Sequence, residues 1–272
     1  MSGPGTIASA PIRSLPIERA LADEAAMLAD AAADHSAAKV VIWETEPCLV
    51  APGAMRRHSR FDHARAVLEA AGWPVHLRTT GGDVTPQGPG IVNVSLVWCV
   101  AADGTPAIAA TYDALCAPIL DTLAHFGLSG SRGFLPGAFC DGAHNINISG
   151  KKFAGTAQRW KRSRVDERDF AVLAHALLLI EPPAPDAIAA LNAFYDACGM
   201  SKRVRSSAHT GLLDVVAPAN GRQIRTAFLD ELHTRYRSIR TVRRGSGDSI
   251  GHGKRKEIRR CLNTSTGSSN SP

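Results

Sequence analysis

Three short segments carry residue types able to do group-transfer chemistry: Arg78-Thr-Thr-Gly-Gly-Asp-Val-Thr-Pro-Gln-Gly-Pro-Gly90 with Asn93 after it, Phe139-Cys-Asp-Gly142, and Gly150-Lys-Lys-Phe-Ala-Gly-Thr-Ala-Gln158. In the second, Cys140 lies in a loop-like context with glycines on both sides, which predicts an accessible thiol, and it precedes Lys152 by 12 positions. An ammonium beside a loop thiol favours the nucleophilic thiolate, whereas a cysteine packed in the core is inert. In the third, Lys152 is followed by Ala154, Gly155, Thr156 and Ala157, side chains too small to fill the space above them. A lysine over such a slot can hold a carbonyl or phosphate oxygen and stabilise the charge that develops on it. In the first, Arg78 with Gly81 and Gly82 lets backbone amides approach an anionic or carbonyl group closely. Each segment also has an ordinary reading: a solvated loop arginine, a surface lysine, a buried structural cysteine.

These segments need elements to hold them. Ser14, Pro16 and Glu18 offer helix-start chemistry, and Ile17, Leu21, Ala25 and Leu28 recur at helical spacing. Val40–Trp43 reads as a strand, Pro47–Gly53 as a loop or strand, Arg60–Ala71 as a helix ended by Gly72 and Pro74, and Val75–Arg78 as a strand entering the glycine loop. Ile91–Ala101 alternates and is rich in β-branched residues, so it predicts a long strand; Tyr112–Phe126 predicts a helix. Asn145–Ile148 and Lys152–Gln158 predict a hairpin turning at Gly150. Phe170–Ile180 is favoured as a buried strand over a helix because Pro182 and Pro183 follow it, and Asp186–Ala197 and Arg222–Tyr236 are helical. Hairpins and helices in mixed order imply an α+β fold with a mixed, mostly antiparallel sheet flanked by helices.

Composition bounds the partners. A chain of 272 residues, 44% apolar, can bury a full core. The six cysteines form no CxxC pair and no tight ligand spacing, which argues against a metal site and a disulfide framework. The net charge of +6 is uneven: Gly199–Pro272 holds 15 Lys/Arg against 5 Asp/Glu, leaving 16 against 20 before it. A mildly acidic body argues against a nucleic-acid-binding core, and no aromatic residues interleave the Arg243–Arg260 charges. The run from Arg243 on is nearly without apolar residues, so residues 14–240 are expected as one catalytic domain and 241–272 as a basic, disordered tail. Neither a membrane span nor a basic-then-apolar leader is visible, and the cytoplasm is the expected location.

Taken together, the order and spacing of the three segments resemble the biotin and lipoate protein ligase superfamily, and within it the lipoate-protein ligases, octanoyltransferases and lipoyl amidotransferases. The likeness runs roughly from Ser14 to Leu191 and includes Trp43 with Glu44 and Val172-Leu-Ala-His-Ala-Leu-Leu178. It implies a tunnel for a medium-length acyl chain and assigns the motif lysine to Lys152 rather than Lys151. It also implies a thioester-forming cysteine at Cys140. Arg78, Gly81, Gly82, Asn93, Gly155, Thr156, Ala157 and Gln158 would bind substrate. The donor would be acyl carrier protein or an octanoylated or lipoylated H protein, and the acceptor a lysine of a lipoyl domain or H protein. Acyl transfer needs no cofactor. Two alternatives remain: an ATP- and Mg-dependent lipoate-protein ligase working through an acyl-adenylate, and a non-catalytic lipoyl-domain-binding homologue. Thr79, Asp83 and Gln87 depart from the family's pattern, where arginine, glycine and histidine are common, and an added carboxylate makes the loop a poorer triphosphate cradle. Acidic acceptor domains would be guided by Arg56, Arg57 and Arg60, or by Lys161, Arg162 and Arg164.

Overall fold

A computed structural model describes residues 12–237 apart from 37, 103 and 217–219, so the expected tail lies outside the described residues. In chain order the elements are β1 (Arg13–Ser14), α1 (Ile17–Ala33), β2 (Lys39–Glu44), β3 (Cys48–Pro52), α2 (Phe61–Ala70), β4 (Val75–Arg78), β5 (Thr85–Gln87) and β6 (Ile91–Val100). There follow α3 (Ile108–His125), β7 (Gly130–Arg132), β8 (Ile146–Ile148), β9 (Lys151–Arg162), β10 (Phe170–Leu179), α4 (Pro185–Ala197), α5 (Leu212–Val215) and α6 (Gly221–Arg237). The α+β class is as expected.

A seven-stranded sheet runs β1-β2-β6-β10-β9-β8-β7, antiparallel except where β1 meets β2. A second sheet, β4-β3-β5, was not anticipated as a separate unit: β5 is only three residues of Thr-Pro-Gln, too short and polar to announce itself.

Strand β10 is buried on both faces, which explains its near-continuous apolar run. Ala174, Ala176 and Leu178 pack with Leu115, Ile119 and Phe228 of α3 and α6. On the opposite face Ala171 and Leu173 meet Met27, Leu28 and Ala31 of α1, while Leu177 and Leu179 pack with Leu49, Phe61, Leu191 and Phe194 around the small sheet. Between those two apolar clusters, still on that second face, lies His175, paired across the sheet with Ser95 on one side and Ala157 on the other. The site therefore forms where α1, the small sheet and the large sheet meet.

The expected hairpin is present. Ile148 pairs with Lys151, and the two intervening residues, Ser149 and Gly150, have φ of 51 and 76°, as a tight turn with two left-handed residues requires.

Candidate active site

The segment Leu135–Asn145, between β7 and β8, is pinned residue by residue. Leu135 N–H donates to Asp141 Oδ1 at 2.6 Å, Phe139 N–H to His209 Nε2 at 3.2 Å, and Asn145 Nδ2 to the Cys140 carbonyl at 3.0 Å. Lys152 adds the strongest tie. Its Nζ donates to the carbonyls of Phe139 at 2.6 Å and Cys140 at 3.0 Å and lies 4.3 Å from the Phe139 ring centroid. Lys152 is 0% exposed. Burial pushes its ammonium down to about 8, opposed by the charges of Cys140 and Asp141.

This corrects two expectations. Lys152 neither lies at the surface nor projects over an open slot: a Cβ on Gly155 would sit 3.0 Å from Nζ and 3.2 Å from Cε, so the space above Gly155 is filled by the lysine's own end. Cys140 is buried, 8% exposed, rather than displayed on a loop. It adopts φ of 44°, a left-handed conformation that a non-glycine residue holds only when its surroundings enforce it.

The glycine loop closes over the sulfur. Gly82, at φ of 97°, approaches so closely that a Cβ there would lie 2.7 Å from Cys140 Sγ. The next amide, Asp83 N–H, donates to Sγ at 3.1 Å. Arg78 holds the loop from beneath: Nη1 donates to Val50 O at 2.7 Å, and Nη2 to Gly81 O at 3.1 Å and Asp83 O at 2.6 Å. Its guanidinium, expected to face a ligand, is thus engaged by the backbone of its own loop.

Cys140 stands between two cavities. One, about 30 Å³, is lined by Ile17, Leu21, Trp43, Val50 and Leu177 together with Gly155, Thr156, Ala157 and Cys140. The other, about 170 Å³, is lined by Gly81, Gly82, Tyr112, Asp141, His144 and Gln158, again with Thr156, Ala157 and Cys140. So one wall of Cys140, Thr156 and Ala157 serves a mainly apolar chamber on one side and a polar vestibule on the other. Thr156 Oγ1 donates to His144 O at 3.0 Å, and the His144 ring stacks on Tyr112 at 3.9 Å.

A buried polar chain borders the apolar chamber. Glu24 Oε1 accepts from Ser95 Oγ at 2.5 Å and contacts His175 Nδ1 at 2.7 Å; His175 Nε2 lies 3.2 Å from Asn93 Oδ1, and Asn93 Nδ2 donates to Gln87 Oε1 at 2.9 Å. Burial works to raise the Glu24 carboxyl, but His175, Ser95 and Arg78 outweigh it and hold it low. Gln87, the departure from histidine, is anchored here. Asn93, expected to touch substrate, is wholly buried in this chain, and Glu24 was not singled out from the sequence at all.

Of the other expected positions, Gln158 reaches the vestibule while its Nε2 donates to Ile108 O at 3.2 Å, and Lys151 is exposed. Arg162, expected to guide docking, donates to Glu167 O at 2.5 Å and lies over the Phe170 ring. Residues without a local sequence signal complete the site: Asn145 and His209 on the cysteine loop, and Tyr195 and Lys202 on the Asp83 carboxylate. Among the remaining described cysteines, Cys48, Cys116 and Cys198 are buried and Cys99 is half-buried, and desolvation disfavours the thiolate of each. Burial pushes Cys48 up to about 12, Cys99 and Cys116 to about 11, and Cys198 also upward. Cys261 lies outside the described residues. Among the described residues no group of three or more His, Cys, Asp or Glu is placed to hold a metal ion.

The profile of the lipoyl protein ligase A/B catalytic domain matches residues 16–218. The chain belongs to that family. Among curated proteins, this lipoyl protein ligase A/B family member is 38% identical over 183 residues to an uncharacterised protein of Cupriavidus necator, covering 64% of this chain and 72% of that one. It is 32% identical over 181 residues to the octanoyl-GcvH:protein N-octanoyltransferase of Kyrpidia tusciae, covering 63% of this chain and 60% of that enzyme. Among solved structures, the fold is similar to lipoate-protein ligase A bound with ATP, at a TM-score of 0.58, 16% identity and coverage of 83% and 84%. It is also similar to the bipartite lipoate protein ligase of Thermoplasma acidophilum, at 0.56, 16%, 83% and 82%. The expected family, fold and enzyme class, an acyltransferase, are borne out by these likenesses. Among the described residues, no helix is long and apolar enough to cross a membrane.

Proposed function

We propose that this chain transfers an octanoyl or lipoyl group, carried as a thioester on Cys140, to a lysine of a lipoyl domain or glycine-cleavage H protein. The observation that carries this reading is the place of Cys140 in the wall between an apolar chamber and a polar vestibule, with the Asp83 amide on its sulfur. An acyl chain would lie in the chamber among Ile17, Leu21 and Trp43, and a protein lysine would enter by the vestibule. At about 30 Å³ the chamber has room for a water or two, so an eight-carbon chain must widen it on entry.

In the first half-reaction the Cys140 sulfur attacks the acyl carbonyl of an octanoylated or lipoylated donor. A C–S bond forms, the bond to the donor's lysine nitrogen (or carrier sulfur) breaks, and the thiol proton leaves with that amine (or carrier thiol). In the second, the ε-amine of the acceptor lysine attacks the thioester carbonyl: the C–N bond of the amide forms, the C–S bond breaks, and the proton lost by the amine returns to the Cys140 sulfur. Between two protein amides the exchange is nearly isoenergetic and consumes no nucleotide. Lys152 supports both halves. Its two bonds hold the Cys140 loop, and its buried charge favours the negative charge that develops at sulfur and carbonyl oxygen. The donor would be acyl carrier protein or a modified H protein, in the cytoplasm, and of the two donors the octanoyl-GcvH:protein N-octanoyltransferase relatives favour the modified H protein.

Intact-protein mass spectrometry after incubation with octanoylated H protein, without ATP, tests the reading. An octanoyl adduct on wild type, cleared by hydroxylamine and absent from Cys140→Ala, is expected. Acylation of acceptor only when ATP is added, undiminished in Cys140→Ala, would replace this reading with the adenylating ligase.

A further inference from the structure

Every polar group of Asp83 is engaged. Its N–H donates to Cys140 Sγ at 3.1 Å and its carbonyl accepts from Arg78 Nη2 at 2.6 Å. Its Oδ1 accepts from Val84 N–H at 2.7 Å and from Tyr195 Oη–H at 3.0 Å, and its Oδ2 is ion-paired with Lys202 Nζ. Tyr195 belongs to α4 and Lys202 follows that helix, so the grip on the loop comes from 112 and 119 positions away. A carboxylate one residue's width from a thiol opposes the thiolate unless a cation cancels it.

We infer that Lys202 and Tyr195 are positioning residues for the nucleophile: through the Asp83 carboxylate they fix the Asp83 amide on Cys140 Sγ, and Lys202 cancels the carboxylate's charge there. The inference rests on the reading of Cys140 as the nucleophile. The other charged or titratable groups facing Cys140 are Arg78 from β4, Tyr112 from α3, Lys152 from β9 and Asp141 beside it in the chain; of these, Lys152 also feels the Lys202 charge, which pushes its ammonium further down. Lys202 also lies 5.5 Å from the Tyr195 ring centroid, which places the two on the carboxylate as a unit.

The test is the pH profile of Cys140 alkylation by iodoacetamide, read by mass spectrometry on the full chain without any acyl donor. In Lys202→Gln the midpoint should move to higher pH, lowering the rate at pH 7 by about tenfold. Lys202→Arg should restore the wild-type profile. Asp83→Asn, which keeps the amide and removes the charge, should move the midpoint to lower pH, and Lys202→Gln added to it should bring the midpoint back close to wild type, because the two charges removed together cancel. A loop that had merely loosened would lose the amide from the sulfur and leave the double variant's midpoint as high as that of Lys202→Gln. An unmoved midpoint in Lys202→Gln, or a double variant whose midpoint stays as far from wild type as that of either single variant, would overturn the inference. The readout needs no transfer, so a wild-type chain that fails to take an octanoyl group while these shifts appear would count against the proposed function alone. Where transfer is seen, Lys202→Gln should lower kcat with KM unchanged.

Discussion

Gly82 and Cys140 are in contact through space a side chain would occupy: a Cβ at Gly82 would stand 2.7 Å from the sulfur and 3.2 Å from Arg78 Nη2. Its φ of 97° already disfavours any other residue. Gly82→Ala is therefore expected to displace the loop, lowering stability by roughly 1–3 kcal/mol and taking acyl transfer below detection. Chemical denaturation with a thioester-trapping assay checks this; wild-type transfer by the variant would mean the loop does not need this approach.

Lys152→Met should be damaging for a reason distinct from lost chemistry. It removes the donor to Phe139 O and one of two donors to Cys140 O, since Asn145 Nδ2 also serves the latter. A buried carbonyl left without a partner costs about 1–3 kcal/mol. The variant should melt lower and lose transfer, and Asn145→Ala should show a milder version of both. Unchanged melting of Lys152→Met would exclude the loop-holding role.

Acid should weaken the fold through His209. Its Nε2 accepts from Phe139 N–H while Nδ1 pairs with Arg205 O at 3.0 Å, an arrangement that suits the neutral ring. Burial, then the Lys152 charge, pushes it down to about 4 from 6.5. The unfolded chain binds this proton more readily, so the contribution is complete above pH 6.5 and is lost as pH falls towards 4, on the order of 3 kcal/mol in all. Urea midpoints at pH 7 and pH 5 should differ more for wild type than for His209→Asn. Equal differences would remove His209 as the cause.

Chain length should be set by α1. Leu21→Trp places bulk in the apolar chamber without touching Cys140's hydrogen bonds. Competition between butyryl and octanoyl donors should shift towards butyryl by about tenfold or more. An unchanged preference would place the acyl chain elsewhere.

The parts legible in the sequence are those whose cause is local. Hairpin β8–β9 is written in Gly150, the strand β10 in a run that ends at Pro182, and the small residues of β9 in Gly155 and Ala157. Cys140 and Lys152 were found together because 12 positions and one hairpin separate them. Glycines on both sides of Cys140 suggest solvent, whereas Gly82 of the neighbouring loop lets that loop close over the sulfur. The lysine likewise turned back onto backbone carbonyls, which its sequence neighbours do not reveal.

The order of the elements, the α+β class and the type of chemistry follow from the sequence alone, because side-chain periodicity, turn residues and a reactive thiol near a lysine act over a few residues. Tertiary structure alone decided which groups govern that thiol. Glu24, His175, Tyr195, Lys202 and His209 come from separate stretches of the chain, and their bonds to the site span from 70 to 151 positions, except where His209 also meets Arg205, 4 positions before it. Hydrogen bonds and ion pairs act over about 3 Å, so only packing of α1, α4 and both sheets around one point makes these residues partners.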